Sequence, residues 1–406
     1  MHELTAPSPA KKGFYIPSLD GIRAVSFLMV FMAHCGMDNM IPGGLGVTVF
    51  FFLSGYLITT LLRTEVASTG KISLRDFYMR RILRIMPPFY VTLLLAILLH
   101  LTGVFPSELE LKPLLFQIFH IGNYWTVIQA DLPNGLDHVA RGTNVLWSLA
   151  VEEHFYLIFP FLYVLMRPRM SVRWQTLTLV FICLAILAWR AVLVMYFHNP
   201  SALQLATHEE WRTFCATDTR ADSILWGCIF AICCNPMLDK PFATGKRLGV
   251  WLGVSVAVFA LTLFYRDGVF RETARYTLHG VALIPIFTAA IVWHKSAAFR
   301  WLNWKPIRQL GVLSYSLYLV HFTIIYIVQD HLTLESMTSD NLRSLVQGIV
   351  AFLGSLTVAL LYFQFIEKPF AKMRKKFSPG SPSGKTEEKS AFNVEDMAQP
   401  MRKMAV

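Results

Sequence analysis

The chain has 406 residues, 54% of them hydrophobic and 16% charged, with a formal net charge of +11 and a mean hydropathy of +0.47. A water-soluble protein would carry more charge and would interrupt its apolar runs every 10 to 14 residues or so, which excludes that class here. In a helical membrane protein the positive excess reports cytoplasmic loops and a juxtamembrane tail, and a nucleic-acid surface is the poorer reading.

The first 19 residues (MHELTAPSPAKKGFYIPSL) are polar and carry no apolar signal-peptide stretch, so no cleavage is expected at this end. Apolar runs of roughly 18 to 25 residues then recur. They can be drawn at 20–36, 43–62, 82–102, 145–166, 174–197, 218–235, 247–265, 276–294, 309–330 and 342–366. This pattern predicts an all-α polytopic membrane protein with about ten transmembrane helices. Segment 111–130 is apolar but holds a proline, a glycine, two glutamines and an asparagine. If it spanned, Arg167, Arg169, Arg173 and the later basic loops would face outward. If it lies in the interface or re-enters, every strong basic cluster is cytoplasmic, so ten spans with both termini cytoplasmic is the better topology. Past Phe377 the chain is rich in Ser, Pro, Gly and charge and cannot bury a core. The expected plan is a cytoplasmic segment at 1–13, a transmembrane domain at 14–370 and a basic, then disordered, cytoplasmic tail at 371–406. Six cysteines show no CxxC or His/Cys ligand spacing, so neither a structural disulfide nor a metal site is expected.

Arg23 and His34 lie eleven positions apart in the first span. Eleven steps of about 100° return to the same face after roughly three turns, about 16 Å further along the axis. Ionisable groups inside a membrane are expensive and tend to be functional. Arg23 suits an anion and His34 a general base. Snorkelling of the arginine to the interface and a hydrogen-bonded interfacial histidine are the structural alternatives. In the second span, the glycine-flanked run from Gly43 to Tyr56 permits close helix approach or a ligand break, with Ser54 and Tyr56 as hydroxyl donors.

Arg80, Arg81 and Arg84 open the third span. Guanidinium forks suit phosphates, although a positive-inside anchor would look the same. Pro87-Pro88 is expected to kink or break that helix early and free carbonyls inside the protein. Further on, Trp147-Ser148-Leu149-Ala150-Val151-Glu152-Glu153-His154-Phe155-Tyr156 places two adjacent carboxylates in an apolar helix. Neighbouring positions differ by about 100°, so at least one must point inward, either as an arginine's partner or as part of an acid/base pair. Glu152 shares a face with Ser148 and Tyr156.

In order, these runs resemble the membrane-bound acyltransferase-3 family, the O-acyltransferases of bacterial surface glycans and some secondary metabolites. The resemblance rests on Leu19-Asp20-Gly21-Ile22-Arg23 with His34, GGLGVTVFFFLSGYLIT at 43–59 and FYMRRILRIMPP at 77–88. LWSLAVEEHFYLIFP at 146–160, YSLYLVHFTI at 315–324 and IEKPF at 366–370 continue it. It covers about residues 14–370. The resemblance implies ten membrane helices, an acyl-CoA donor (acetyl-CoA above all) taken from the cytoplasm, and an acceptor hydroxyl often on the far side. It carries functional weight onto Arg23, His34, Arg81, Arg84 and Glu152. Where many members have Gln after the acidic pair this chain has His154, which would alter acceptor contacts. The extracellular hydrolase-like domain of some members is not expected here, so the chain would act alone or with a partner.

The resulting expectation is an integral-membrane O-acyltransferase acting on a cell-surface or exported glycan at a bacterial inner membrane. Arg23, Arg81 and Arg84 would hold the CoA phosphates. His34, oriented by Glu152 or Glu153, would be the base, and Ser54 or Tyr56 would contact the oxyanion beside Trp147 and Ser148. A His-linked acyl intermediate is open as well. Rival readings are a transporter of an anionic substrate and an acyltransferase for a small metabolite such as a macrolide. Loops 103–144 and 198–217 would carry acceptor specificity.

Overall fold

A computed structural model describes residues 16–105, 110–129, 141–197, 211–333 and 340–378. Among them no strand occurs. The expected N-terminal segment 1–13, the tail beyond Ser378 and parts of both acceptor loops (106–109, 130–140 and 198–210) lie outside the described residues.

Each expected span has a helix at its position. The first is α1 (Pro17–Met32), started by Pro17 at its first turn and continued by a π-helical turn (Ala33–Met37). Next come α2 (Gly43–Thr69) and α3 (Leu74–Leu101). Short helices α4 (Leu111–Ile118) and α5 (Gly122–Gln129) follow, then α6 (Trp147–Met166), α7 (Val172–Phe197) and α8 (Thr217–Cys233). The series continues with α9 (Gly245–Phe264), the short α10 (Gly268–Glu272) and α11 (Ala274–Val292). It closes with α12 (Lys305–Val312), α13 (Ser314–His331), α14 (Asp340–Tyr362) and α15 (Lys368–Arg374).

Among the described residues eight helices are long and apolar enough to cross a bilayer, and α12 with α13 makes a ninth if the bent pair is one span. The tenth expected span is α8, only 17 residues long, whose positions from Asp222 through Ile232 are all buried. It threads the bundle centre. Segment 111–130 forms α4 and α5, eight residues each, about a turn at His120 with φ 56°. Each helix is about 12 Å long and neither can cross a core of about 30 Å.

Two expectations need correction. The span drawn at 309–330 is not one straight helix, because α12 and α13 meet at 74°. Gly311 of α12 sits against the backbone of Asp20, where a Cβ would lie 1.9 Å from the Asp20 carbonyl oxygen. The break frees the N-terminal turn of α13 to face α1. Of the two outcomes expected at Pro87-Pro88, a kink or a break, the break does not occur, since α3 runs on as one helix of 28 residues. The Tyr315 hydroxyl donates to the Ile85 carbonyl at 2.8 Å, in the turn just before the prolines.

Burial separates centre from rim. About two-thirds of the apolar stretch of α2 and of α11 is buried (67% each), against 17% for α9. The centre also holds an ion pair with no exposed surface. Arg190 of α7 donates from Nη1 and Nη2 to the two carboxylate oxygens of Asp222 at 2.9 and 2.8 Å. Thr277 of α11 adds a 2.8 Å hydrogen bond to the same carboxylate, tying α7, α8 and α11 together.

Candidate active site

Helices α1, α2, α3, α6 and α13 surround a cavity of about 180 Å³. Its polar lining is Arg23, Arg81 and Arg84 with Glu152, Glu153, Ser54, Ser148, Tyr156, Ser314, Tyr315 and Tyr318. Phe50, Phe51, Leu53, Leu57, Ile58 and Leu61 of α2 form an apolar wall. The cavity therefore brings guanidiniums, hydroxyls and carboxylates together against an apolar wall: Arg23 meets Ser314, and Arg81 lies over the Tyr156 ring whose hydroxyl bonds Glu152.

The three lining guanidiniums are uncommitted to carboxylates among the described residues. Arg23 donates from Nε to Ser314 Oγ at 3.2 Å. Arg81 lies over the rings of Phe77 and Tyr156, 5.7 and 5.2 Å from their centroids, and Arg84 lines the cavity. Arg80, one position from Arg81, points elsewhere. Its Nη2 meets Glu65 at 2.6 Å and its Nη1 donates to the Phe377 carbonyl at 2.5 Å. Arg81 stands about 100° round α3 from Arg80, whereas Arg84 is only about 40° round from Arg80 and lines the cavity one turn further along.

On α6 the seam Ser148, Glu152 and Tyr156 recurs every four residues and all three line the cavity. Glu152 Oε2 accepts from Tyr156 Oη at 2.6 Å and from Ser54 Oγ at 3.1 Å, and the two hydroxyls lie 2.9 Å apart. Ser54 has one proton, for which Glu152 and Tyr156 both offer acceptors, so the oxyanion role expected of it has no donor while either bond holds. Glu153 lines the cavity beside this triangle. At the far end, Ser148 Oγ and Tyr318 Oη are 2.7 Å apart.

His34 departs from the expectation. It is not among the cavity's lining residues, and neither Glu152 nor Glu153 orients it. Its partner is His321 of α13, with His34 Nδ1 3.0 Å from His321 Nε2 and the rings stacked 5.2 Å apart at 12°. The backbone departs from regular helix only after His34, at Cys35 and at Gly36 with φ 88°, so the face shared with Arg23 persists: Arg23 meets α13 at Ser314 and His34 meets it at His321. Tyr318 stands between them. Its ring faces the cavity, and its backbone carbonyl lies 2.8 Å from His321 Nδ1.

Two further assignments change. Tyr56 is fully buried and off the cavity, donating to Asn235 Oδ1 at 2.8 Å, because it lies two residues past Ser54 and faces α8. Trp147 packs its ring between Phe51 and Phe214 and also misses the cavity, one step of α6 away from Ser148. His154 Nδ1 lies 2.7 Å from Thr217 Oγ1, at the start of α8. Sequence reasoning quoted YSLYLVHFTI but gave Ser314, Tyr315, Tyr318 and His321 no role. The signal was available: positions 314, 318 and 321 follow the i, i+4, i+7 pattern of one helix face in an apolar run. Among the described residues no group of three or more His, Cys, Asp or Glu side chains is placed to hold a metal ion.

An all-α bundle of long apolar helices around an internal cavity lined by arginines, carboxylates and hydroxyls defines a polytopic membrane protein. The family model described as an acyltransferase domain matches residues 16–364, and the chain belongs to that acyltransferase-3 family. It is 32% identical over 377 residues to an O-acetyltransferase OatA of Staphylococcus aureus, covering 88% of this chain and 57% of the relative. It is 29% identical over 376 residues to the peptidoglycan O-acetyltransferase OatA of Listeria monocytogenes, covering 88% of this chain and 56% of the relative. The chain thus spans a little over half the length of these curated relatives. No solved structure matches it.

Proposed function

We propose that this chain is an integral-membrane O-acetyltransferase that moves an acetyl group from acetyl-CoA to a hydroxyl of a cell-surface glycan. The observation that carries this reading is the cavity itself. Three guanidiniums that share the cavity with two carboxylates but form no ion pair with a carboxylate among the described residues suit the pyrophosphate and phosphate of CoA. The adjoining wall of α2 suits the less polar pantetheine arm and its thioester. Membership of the acyltransferase family and similarity to proteins named for peptidoglycan O-acetylation support the donor chemistry and the glycan acceptor.

In this reading residues 14–370 are the catalytic domain, in the bacterial inner membrane, with both termini cytoplasmic. The Arg81 end of α3 then faces the cytoplasm, where the basic residues from Lys368 to Lys376 lie, as the positive-inside rule requires. The thioester end travels along α2 towards Tyr318. Beyond that residue His34 takes the proton of the acceptor hydroxyl as its oxygen attacks the thioester carbon. The C–S bond breaks, and the thiolate leaves with the proton that His34 collected, so acetyl ester and free CoA thiol are the products.

The experiment is mass spectrometry of cell-surface glycan from cells with and without the gene, paired with CoA release by the purified protein in proteoliposomes. Loss of a glycan acetyl ester together with acetyl-CoA-dependent thiol release supports the reading. An unchanged glycan, or flux of an anionic substrate without thiol release, overturns it.

A further inference from the structure

A half-buried and a fully buried histidine, His34 and His321, meet through ring nitrogens in this bundle, and a backbone carbonyl decides which nitrogen of each carries the proton. His321 has no exposed surface and sits among Phe27, Phe31, Tyr318 and Phe322. Its Nδ1 lies 2.8 Å from the carbonyl oxygen of Tyr318. A carbonyl oxygen can only accept, so Nδ1 of His321 carries a proton and donates. In a neutral ring the other nitrogen, Nε2, then offers a lone pair. That lone pair lies 3.0 Å from His34 Nδ1, which must therefore be the donor. By the same rule Nε2 of His34 is left unprotonated. A neutral pair is the form this environment favours, since a second proton would leave a cation among aromatic rings with no carboxylate bonded to either histidine among the described residues.

We infer that His321 is a positioning residue that fixes His34 in the Nδ1–H tautomer, leaving its Nε2 as the proton acceptor of the transfer reaction. The inference rests on the proposed role of His34 as base. When the acceptor hydroxyl attacks the thioester, its proton moves to His34 Nε2, and the imidazolium so formed donates from Nδ1 to His321 Nε2. The proton then leaves His34 with the CoA thiolate, which restores the neutral pair. The carbonyl of Tyr318 anchors the chain at one end, while the same residue's ring lines the cavity at the other. Helix α13 thereby couples the closed end of the donor cavity to the tautomer of the base.

The test uses the full chain in proteoliposomes with three variants, each measured for kcat and for acetyl-CoA KM. His321→Leu keeps the volume and loses the acceptor, so kcat is expected to fall about a hundredfold with KM for donor unchanged. His321→Gln can accept from His34 through Oε1 and donate to the Tyr318 carbonyl through Nε2, and should recover most of that loss. His34→Ala should be inactive. Full activity in His321→Leu, or a His321→Gln variant as slow as His321→Leu while still binding acetyl-CoA, overturns the relay. If His321→Leu fails to bind donor and so has not folded, the Gln variant decides alone: near wild-type kcat supports the relay and loss of kcat at unchanged KM overturns it. Activity retained in His34→Ala would instead remove the base reading, which separates the two failures.

Discussion

Gly55 of α2 and Gly227 of α8 occupy each other's backbone space. A Cβ at 55 would lie 2.0 Å from the Ile224 carbonyl oxygen, and one at 227 would lie 2.0 Å from that of Phe52. Small residues bring membrane helices together where no hydrophobic force does so. This approach seats α2, which supplies the apolar cavity wall, against the buried α8. Gly227→Ala is expected to cost about 1–3 kcal/mol of stability through overpacking. A lowered thermal midpoint in detergent checks it, and an unchanged midpoint would show that the two helices can separate freely.

Arg80 and Arg84 should behave as different kinds of residue. Arg84→Ala removes a charge-assisted contact to the donor, worth about 1.5–3 kcal/mol, and should raise acetyl-CoA KM roughly ten- to hundredfold. Its kcat should hold, because uniform binding is what is lost. Arg80→Ala instead strips the partner from Glu65, which is only 5% exposed. That should cost about 3 kcal/mol of stability and leave KM alone. Steady-state kinetics and thermal unfolding on both variants distinguish them; the same KM in both would undo the division.

Tyr56→Phe tests the reassignment of that tyrosine. Its hydroxyl donates to Asn235, whose side chain in turn donates to Thr60 Oγ1 at 2.8 Å. Removing it should cost about 1 kcal/mol of stability, while kcat and donor KM stay near wild type. A large fall in kcat at unchanged stability would return Tyr56 to the reaction.

The Arg190–Asp222 pair is predicted to be structural. Arg190→Met leaves a buried carboxylate without its cation and should cost about 3–5 kcal/mol, seen as lost membrane-inserted protein. Arg190→Met with Asp222→Leu removes both charges and should regain much of that loss. A double variant no better than the single would argue that the charges themselves are needed.

Hydropathy and helical spacing act over a few residues, so the spans and the seam Ser148–Glu152–Tyr156 could be read from the chain alone, whereas preferring Arg81 and Arg84 to Arg80 came from the family resemblance. The bent pair α12–α13 could not, because the reason for the bend is the Asp20 backbone, almost 300 positions away. The partner of His34 was hidden for the same cause: its ring meets His321 across 287 positions, and no local periodicity encodes which two helices become neighbours. Regular spacing of about 100° did place Arg23 and His34 on one face, and both meet α13. Which hydroxyls line the cavity, Ser54 and Tyr318 but not Tyr56, followed from packing among α2, α6, α8 and α13. Local chemistry named the reactive groups; only the folded bundle paired them.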